Sequence, residues 1–371
     1  MTNNVAANEQ ILLAHGSGGT LMRQLIEEVF YEAYGSAELL AGDDAATLCL
    51  PNTALLAQAE AKADAPVGVT AGLPPGRLAF STDTFVVTPR IFPGGDIGRL
   101  AVCGTVNDVA TSGARPLWLS VGLVLEEGLA LSELKVICQS MAAAAAEADV
   151  SLVTGDTKVV QRGHGDGVYI NTSGIGVFAP DRLALSGASC KPGDAILLSG
   201  TLGDHGIAII ACREQLSFQT TVISDAAPLN HLISAVLAAA PDTRCFRDPT
   251  RGGLASTLNE LAAQSQVGML VEEAAVPVQE QVRGACEMLG YDVFQVANEG
   301  KMVAVVPPAQ AEAALAAMRG SHYGADAAII GEVVALENYP GAARPQVLIR
   351  TPFGTTRIMD VLTGEQLPRI C

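Results

Sequence analysis

The chain predicts a mixed α+β protein built as α/β layers in two lobes, and three observations carry that expectation. Its 371 residues exceed what one hydrophobic core ordinarily serves. Segments with strand-type alternation trade places with segments of helical period from end to end, instead of falling into separate blocks. Aromatics make up 4% against 49% hydrophobic residues and 38 glycines, a composition for Ala-, Val- and Leu-rich packing with closely approaching backbones.

The elements follow in order. Leu21, Leu25, Ile26, Val29 and Phe30 share one face of a helix, preceded by the glycine loop His15-Gly16-Ser17-Gly18-Gly19. Such a junction offers backbone N–H groups to a phosphate, or is simply a tight turn. Pro51 to Arg77 is rich in Ala, Pro and Gly and reads as an exposed loop or insertion, with 53–76 its least patterned part. Leu78 to Val87 alternates as a strand and puts Asp83 on it or just beyond. Ile97 to Ser112 is a helix lined with small residues, and Leu117 to Leu125 a buried strand. Ser132 is placed to cap a helix running through Met141 to Ala146, and Leu152-Val153 opens another strand. Punctuation between Phe178 and Gly193 divides the chain into a domain over 1–180 and a second over 181–356. The second domain starts with the strand Ala195 to Ser199. It continues with a helix from Leu254 to Gln264 and strands at Met269 to Glu272 and Met302 to Val306. Residues 357–371 form a flexible tail.

That tail ends in Leu367-Pro368-Arg369-Ile370-Cys371. A thiol with no chain beyond it can travel to places a core side chain never reaches, and Pro368 keeps a helix from absorbing the end. Fully extended, Ile358 to Cys371 spans roughly 45 to 50 Å. The other cysteines, at 49, 103, 138, 190, 212, 245 and 286, show neither Cys-x-x-Cys nor zinc-type spacing, and most of them read as reduced core residues. A net charge of −17 counts against nucleic acid and anionic membrane as partners. The first ten residues lack a basic start and apolar run, and no uncharged stretch reaches membrane-spanning length, so a cytoplasmic location is expected.

Carboxylates flanked by small residues recur at element ends: Gly42-Asp43-Asp44, Ser81-Thr82-Asp83, Asn107-Asp108, Thr154-Gly155-Asp156-Thr157-Lys158 and Asp248-Pro249-Thr250-Arg251-Gly252-Gly253. Magnesium takes hard oxygen ligands and is commonly shared between a few carboxylates and nucleotide phosphates. Asp44, Asp83, Asp108 and Asp156 are the candidate ligands, with Lys158 and Arg251 as phosphate partners. Any one of these pairs alone is also a good turn former. Neither a Walker loop nor a Gly-x-Gly-x-x-Gly element is present, which disfavours the common nucleotide folds.

Taken together, His15-Gly16-Ser17-Gly18-Gly19, Phe92-Pro93-Gly94-Gly95-Asp96, Asn107-Asp108-Val109-Ala110, Thr154 to Val160, Gly203-Asp204-His205-Gly206, Ala297-Asn298-Glu299-Gly300-Lys301 and terminal Pro368-Arg369-Ile370-Cys371 resemble the HypE family, the carbamoyl dehydratases of nickel-iron hydrogenase maturation. The resemblance runs from Leu12 to Cys371. It implies the two-lobed fold of aminoimidazole ribonucleotide synthetase and selenophosphate synthetase, an N-terminal sheet that dimerises, a C-terminal α/β sandwich lobe and a mobile tail. It implies a homodimer, ATP and Mg2+ as cofactors, and a nucleotide site drawn from Gly18, Gly19, Asp44, Asp83, Asn107, Asp108, Gly155, Asp156, Thr157, Asp248, Thr250, Arg251 and Gly252. Also implied are two partners: a HypF carbamoyltransferase that loads Cys371, and a HypC-HypD complex that accepts the cyano group. Lys158 is then the phosphate partner and Glu299 the group that removes protons, with His15 and His205 as rival bases. A selenide-phosphorylating relative would need Cys or selenocysteine where the loop carries His15 and Ser17. A non-catalytic scaffold would offer Cys371 without changing its adduct.

Overall fold

The computed structural model describes residues 20–27, 40–49, 77–179, 184–214, 222–336, 345–361 and 370–371. His15, Gly18, Gly19, the 53–76 stretch and tail residues 362–369 lie outside the described residues.

After a short helix α1 (Thr20–Leu25), the first lobe lays down β1 (Ala46–Cys49) and β2 (Arg77–Phe85), a two-stranded ribbon of β3 (Ile91–Phe92) and β4 (Gly95–Asp96), and helix α2 (Ile97–Thr111). Strand β5 (Arg115–Glu126), helix α3 (Leu131–Glu147), β6 (Ser151–Val160) and β7 (Val168–Val177) complete it, and the main sheet runs β1-β2-β7-β5-β6. Asp96 starts α2 by accepting from the Gly98 and Arg99 amides at 2.7 and 3.1 Å, leaving those donors satisfied. Helix α2 is buried on nearly every side, which its small residues permit.

Two expectations need correction here. Helix α3 begins at Leu131 with Ala130 in the cap position and no side-chain cap bond, so Ser132 lies inside the first turn. Packing of Ile137, Met141, Ala144 and Ala145 into the core places this helix instead. Strand β5 is not buried throughout: Pro116 and Leu119 are, while Trp118 is 46% exposed. Its sheet is covered on one face, and the edge strand β6 is exposed along almost its whole length.

The second lobe holds β8 (Ala195–Leu198), α4 (Asp204–Arg213), α5 (Asn230–Ala239), β9 (Cys245–Arg247), α6 (Gly253–Ser265), β10 (Gly268–Glu272) and α7 (Glu280–Leu289). It closes with β11 (Val303–Val306), α8 (Ala311–Arg319), β12 (Ala328–Val334), β13 (Val347–Arg350) and β14 (Thr356–Ile358), in sheet order β14-β13-β10-β12-β8-β11-β9. Both faces of this sheet are covered. Ile196 and Leu198 of β8 enter the core beneath α6, while Ala195 and Leu197 enter the core beneath α5 and α8. Alternation thus feeds two cores from one strand, the reason it reads as a continuous apolar run.

A third core joins the lobes, uniting α2 and α3 with α4, α7 and Ile370. Polar bonds fix the same junction. Arg99 Nε donates to the Ala226 carbonyl at 2.7 Å. Asn107 donates to the Ala227 carbonyl at 3.0 Å and accepts from the Leu229 amide at 2.7 Å. Among the described residues no helix is long and apolar enough to cross a membrane.

Candidate active site at the lobe junction

Strand ends and helix starts converge on a recess of carboxylates. Asp44 precedes β1, Asp83 lies on β2, Asp108 on α2 and Asp248 just after β9. Ser81 Oγ sits 2.9 Å from both Asp108 Oδ2 and the Asp44 carbonyl. Arg247 pairs with Asp44 at 3.0 Å and with Glu260 at 2.9 Å, so its guanidinium is already committed within the recess.

The electrostatics follow from crowding in a poorly solvated place. Desolvation, then the charges around it, lifts Asp44 to about 6 despite Arg247. The same causes lift Asp248 to about 8, with Asp44 and Asp83 as the repelling neighbours. Asp108 is raised well above the carboxylate range by desolvation and by Asp83, and Asp83 is raised by desolvation although a hydrogen bond to Asp108 opposes this. Two carboxyl groups in hydrogen-bond contact must share a proton, or a cation must stand in for it. No ready-made cluster of three metal-binding side chains is present among the described residues. Even so, hard oxygen donors that otherwise retain protons suit a divalent cation bound jointly with phosphate oxygens.

The end of the chain lies in this recess. Cys371, partly exposed, donates its thiol hydrogen bond to Glu299, and Arg251 and Asp83 are near enough to influence it. Desolvation, Glu299 and Asp83 hold the thiol protonated, with Arg251 acting the other way. Glu299 is 4% exposed, raised well above the usual range by desolvation and then by Asp248 and Asp225, and its Oε1 has no partner. Glu299 thus presents an unpartnered buried acceptor beside the terminal sulfur, able to receive an N–H or O–H donor. The Asn298-Glu299-Gly300-Lys301 turn is held tightly. The Glu299 amide donates to Asp225 Oδ1 at 3.0 Å, and any side chain at Gly300 would collide with the Asp225 carbonyl.

His205 is engaged differently from the expectation of a base. It is fully buried, with Nε2 2.7 Å from the Ile370 carbonyl and Nδ1 2.8 Å from Ser224 Oγ. A carbonyl only accepts, so Nε2 carries the hydrogen; burial keeps the ring neutral, and Nδ1 therefore accepts from Ser224. Neither nitrogen has a lone pair to spare.

The remaining expected residues separate into two places. Thr250, Arg251 and Gly252 lead into α6 beside Asp248, with Gly252 as the left-handed cap residue. Asn107 is spent on the Ala227–Leu229 backbone, so it joins the lobes. Gly155, Asp156, Thr157 and Lys158 lie on β6, separated from β2 by β5 and β7. Gly155 has a structural cause, since a Cβ there would strike the Val121 carbonyl. Asp156 is exposed and accepts from Lys158 Nζ at 2.5 Å and the Thr157 amide at 2.8 Å, which hold its carboxyl below the usual value. Within one chain, these residues do not join the recess.

Comparison with known proteins identifies the family. Residues 42–178 match the AIR synthase related protein N-terminal domain, and residues 191–339 match its C-terminal domain. A protein of Azotobacter vinelandii, carbamoyl dehydratase HypE, is 52% identical over 364 residues, covering 98% of each chain. The chain belongs to the HypE family of carbamoyl dehydratases. A crystal structure of a hydrogenase maturation protein HypE in complex with ATP superposes with a TM-score of 0.77 at 46% identity, covering 98% of this chain and 100% of that one. A HypE chain from a HypE-HypF complex gives 0.78 at 44% identity, covering 91% of this chain and 99% of its own. This membership places the chain among enzymes with the two-lobed AIR synthase-like fold.

Sequence reasoning missed Ser224, Asp225, Arg247 and Lys301. Lys301 adjoins Glu299 and pairs with Asp225 at 3.3 Å and Asp204 at 3.7 Å. Its proximity to Glu299 was a signal. Ser224 and Asp225 stand in a loop without pattern, and nothing local marks them.

Proposed function

We propose that Cys371 carries the carbamoyl group that this dehydratase converts, with ATP, into a thiocyanate. The single observation that supports the reading most is the docking of the last sulfur against Glu299 beside the carboxylate recess. The amide oxygen of the thiocarbamate attacks the γ-phosphorus, ADP departs, and one N–H proton is lost. Removal of the second N–H proton then forms the C≡N bond as the C–O bond breaks and phosphate leaves. Both protons come from nitrogen: the unpartnered Glu299 Oε1 would take one of them, and the departing phosphate would carry off the other. Desolvation, then Asp248 and Asp225, raise the affinity of Glu299 for a proton, and neutralising Asp248 would lower it.

Asp44, Asp83 and Asp108, joined by Asp248, would hold Mg2+, which would supply charge neutralisation of the phosphates when bound. Arg251 and the Gly252-Gly253 helix start would face phosphate oxygens. The exposed β6 side chains, with Leu152, Val153 and Val159 at 39%, 57% and 68% exposure, support a homodimer through the first-lobe sheet. In such a dimer Asp156, Thr157 and Lys158 of one protomer would complete the nucleotide site of its partner. The His15-Gly19 loop keeps its phosphate-binding role in this reading. A HypF protein would load Cys371, a HypC-HypD complex would accept the cyano group, and the cytoplasm would be the place. The division into 1–180 and 181–356 is part of the same proposal, supported by the separate sheets; the expected tail boundary at 357 is corrected, because Arg357 and Ile358 belong to β14 and Met359 is buried in the second-lobe core.

Mass spectrometry of carbamoylated protein given ATP alone tests it. The Cys371 peptide is expected to lose the mass of one water; an unchanged adduct would favour the scaffold reading. Cys371→Ala is expected to abolish loading while ATP binding stays nearly intact, and loss of both would contradict separate carrier and nucleotide functions.

A further inference from the structure

From the bonds that His205 makes, we infer that it is a latch that positions the carrier tail, holding the Ile370 carbonyl so that the sulfur one residue later meets Glu299. This deepens the reading of Cys371 as the carrier and rests on it.

The latch is assembled from both lobes. His205, in the first turn of α4, packs edge-on against Phe92 with ring centroids 5.6 Å apart. Ser224 is in turn fixed, its amide donating to the Pro93 carbonyl at 2.8 Å and its Oγ accepting from the Ala226 amide at 3.2 Å. Because Nε2 of the neutral ring donates to the Ile370 carbonyl, Nδ1 is the acceptor and the Ser224 hydroxyl hydrogen points to it. Ile370 is 1% exposed and packs into the core that joins the lobes. Its carbonyl would lose this buried hydrogen bond without the imidazole, so the bond helps to hold the docked end of the chain.

The same loop also serves the reacting groups. Asp225, next to Ser224, holds the Glu299 amide and pairs with Lys301. Ser224-Asp225 therefore grips the tail through His205 with one residue and the base through its backbone with the other. Registration between sulfur and carboxylate is set by this dipeptide, and His205 acts on the chemistry only by positioning.

A latch has opposite effects on two measurable steps. Releasing it frees the thiol and slows the reaction inside. The variants are His205→Ala; Ser224→Ala, which lets the ring turn a lone pair toward Ile370; and His205→Gln, whose amide still donates. Alkylation of Cys371 by iodoacetamide, read on the terminal peptide, and single-turnover dehydration of the carbamoylated full-length protein are measured side by side. Loss of one buried hydrogen bond is expected to raise the labelling rate and lower the dehydration rate, each by about tenfold, in His205→Ala. Ser224→Ala should lie between it and wild type, and His205→Gln should recover most of both rates. Slower dehydration with unchanged labelling would overturn the latch and return His205 to the chemistry. Unchanged values of both in Ser224→Ala and His205→Gln, alongside a His205→Ala protein that does not fold, would reduce His205 to a core residue. Wild-type protein that labels at Cys371 but never dehydrates would remove the carrier reading itself, a failure distinct from that of the latch.

Discussion

Asp108 and Asp156 stand in similar company, each in a run of small and hydroxyl-bearing residues, and the fold treats them in opposite ways. Asp108 is recessed among Asp44, Asp83 and Asp248, and desolvation with mutual repulsion pushes its carboxyl up. Asp156 is open to water on an edge strand, and Lys158 and the Thr157 amide push its carboxyl down. The recess crowds carboxyl groups that retain protons, a strain that a bound cation would relieve. The edge holds a satisfied pair that gains nothing from a cation of its own. Acidic motifs of similar composition thus divide into a crowded, desolvated recess and a solvated, internally paired surface.

The largest effect should come from the recess. Glu299→Gln keeps the size and the Cys371 contact but cannot take a proton, so dehydration of the carbamoyl adduct should fall by about 10²- to 10⁴-fold. Loading of Cys371 should persist in the same protein, as mass spectrometry of the tail peptide would report. Equal loss of both steps would undo the separation of base and carrier.

The exposed strand predicts a smaller effect with a distinctive pattern. Lys158→Ala should weaken nucleotide binding by about tenfold, the loss of one charge-assisted contact. Mixed dimers of Lys158→Ala and Asp108→Asn protomers should regain one intact site and about half the dehydration rate, as expected of contacts that cross the dimer. Mixed dimers no better than the parent variants would place Lys158 in its own protomer's site.

The smallest effect is on stability. Asp44 and Asp248 hold their protons up to about 6 and 8 in the folded chain against 3.8 for the ordinary group. The folded state therefore binds more protons than the unfolded one, and stability is lost as pH rises through that range. Without nucleotide and magnesium, the melting temperature should fall from pH 5 to pH 8, and Mg-ATP should flatten the slope by supplying the missing positive charge. Asp156→Asn should leave the slope untouched, whereas Asp248→Asn should reduce it.

Legibility in the sequence followed the range of the forces involved. Strand β8 and helix α6 were readable because apolar spacing reflects local geometry, and both lie within a residue or two of expectation. Ser132 looked like a cap and is not one, because packing of α3 in the joint core overrides a single hydrogen bond at its end. Strand β5 looked buried because apolar residues on a face awaiting a partner are indistinguishable from core residues in one chain. Asn107 carried the appearance of a ligand residue, yet its amide is used across a sequence gap of 120 residues to tie the lobes.

The order of chemical groups along the chain, the glycine-flanked carboxylates and the terminal thiol were determined by the sequence itself, because they depend only on covalent structure and local preference. Which carboxylates repel one another, which nitrogen of His205 carries the hydrogen and how Cys371 meets Glu299 were decided by the tertiary structure. Those properties arise from burial and from neighbours far apart in the chain, and neither exists until the two lobes close on each other.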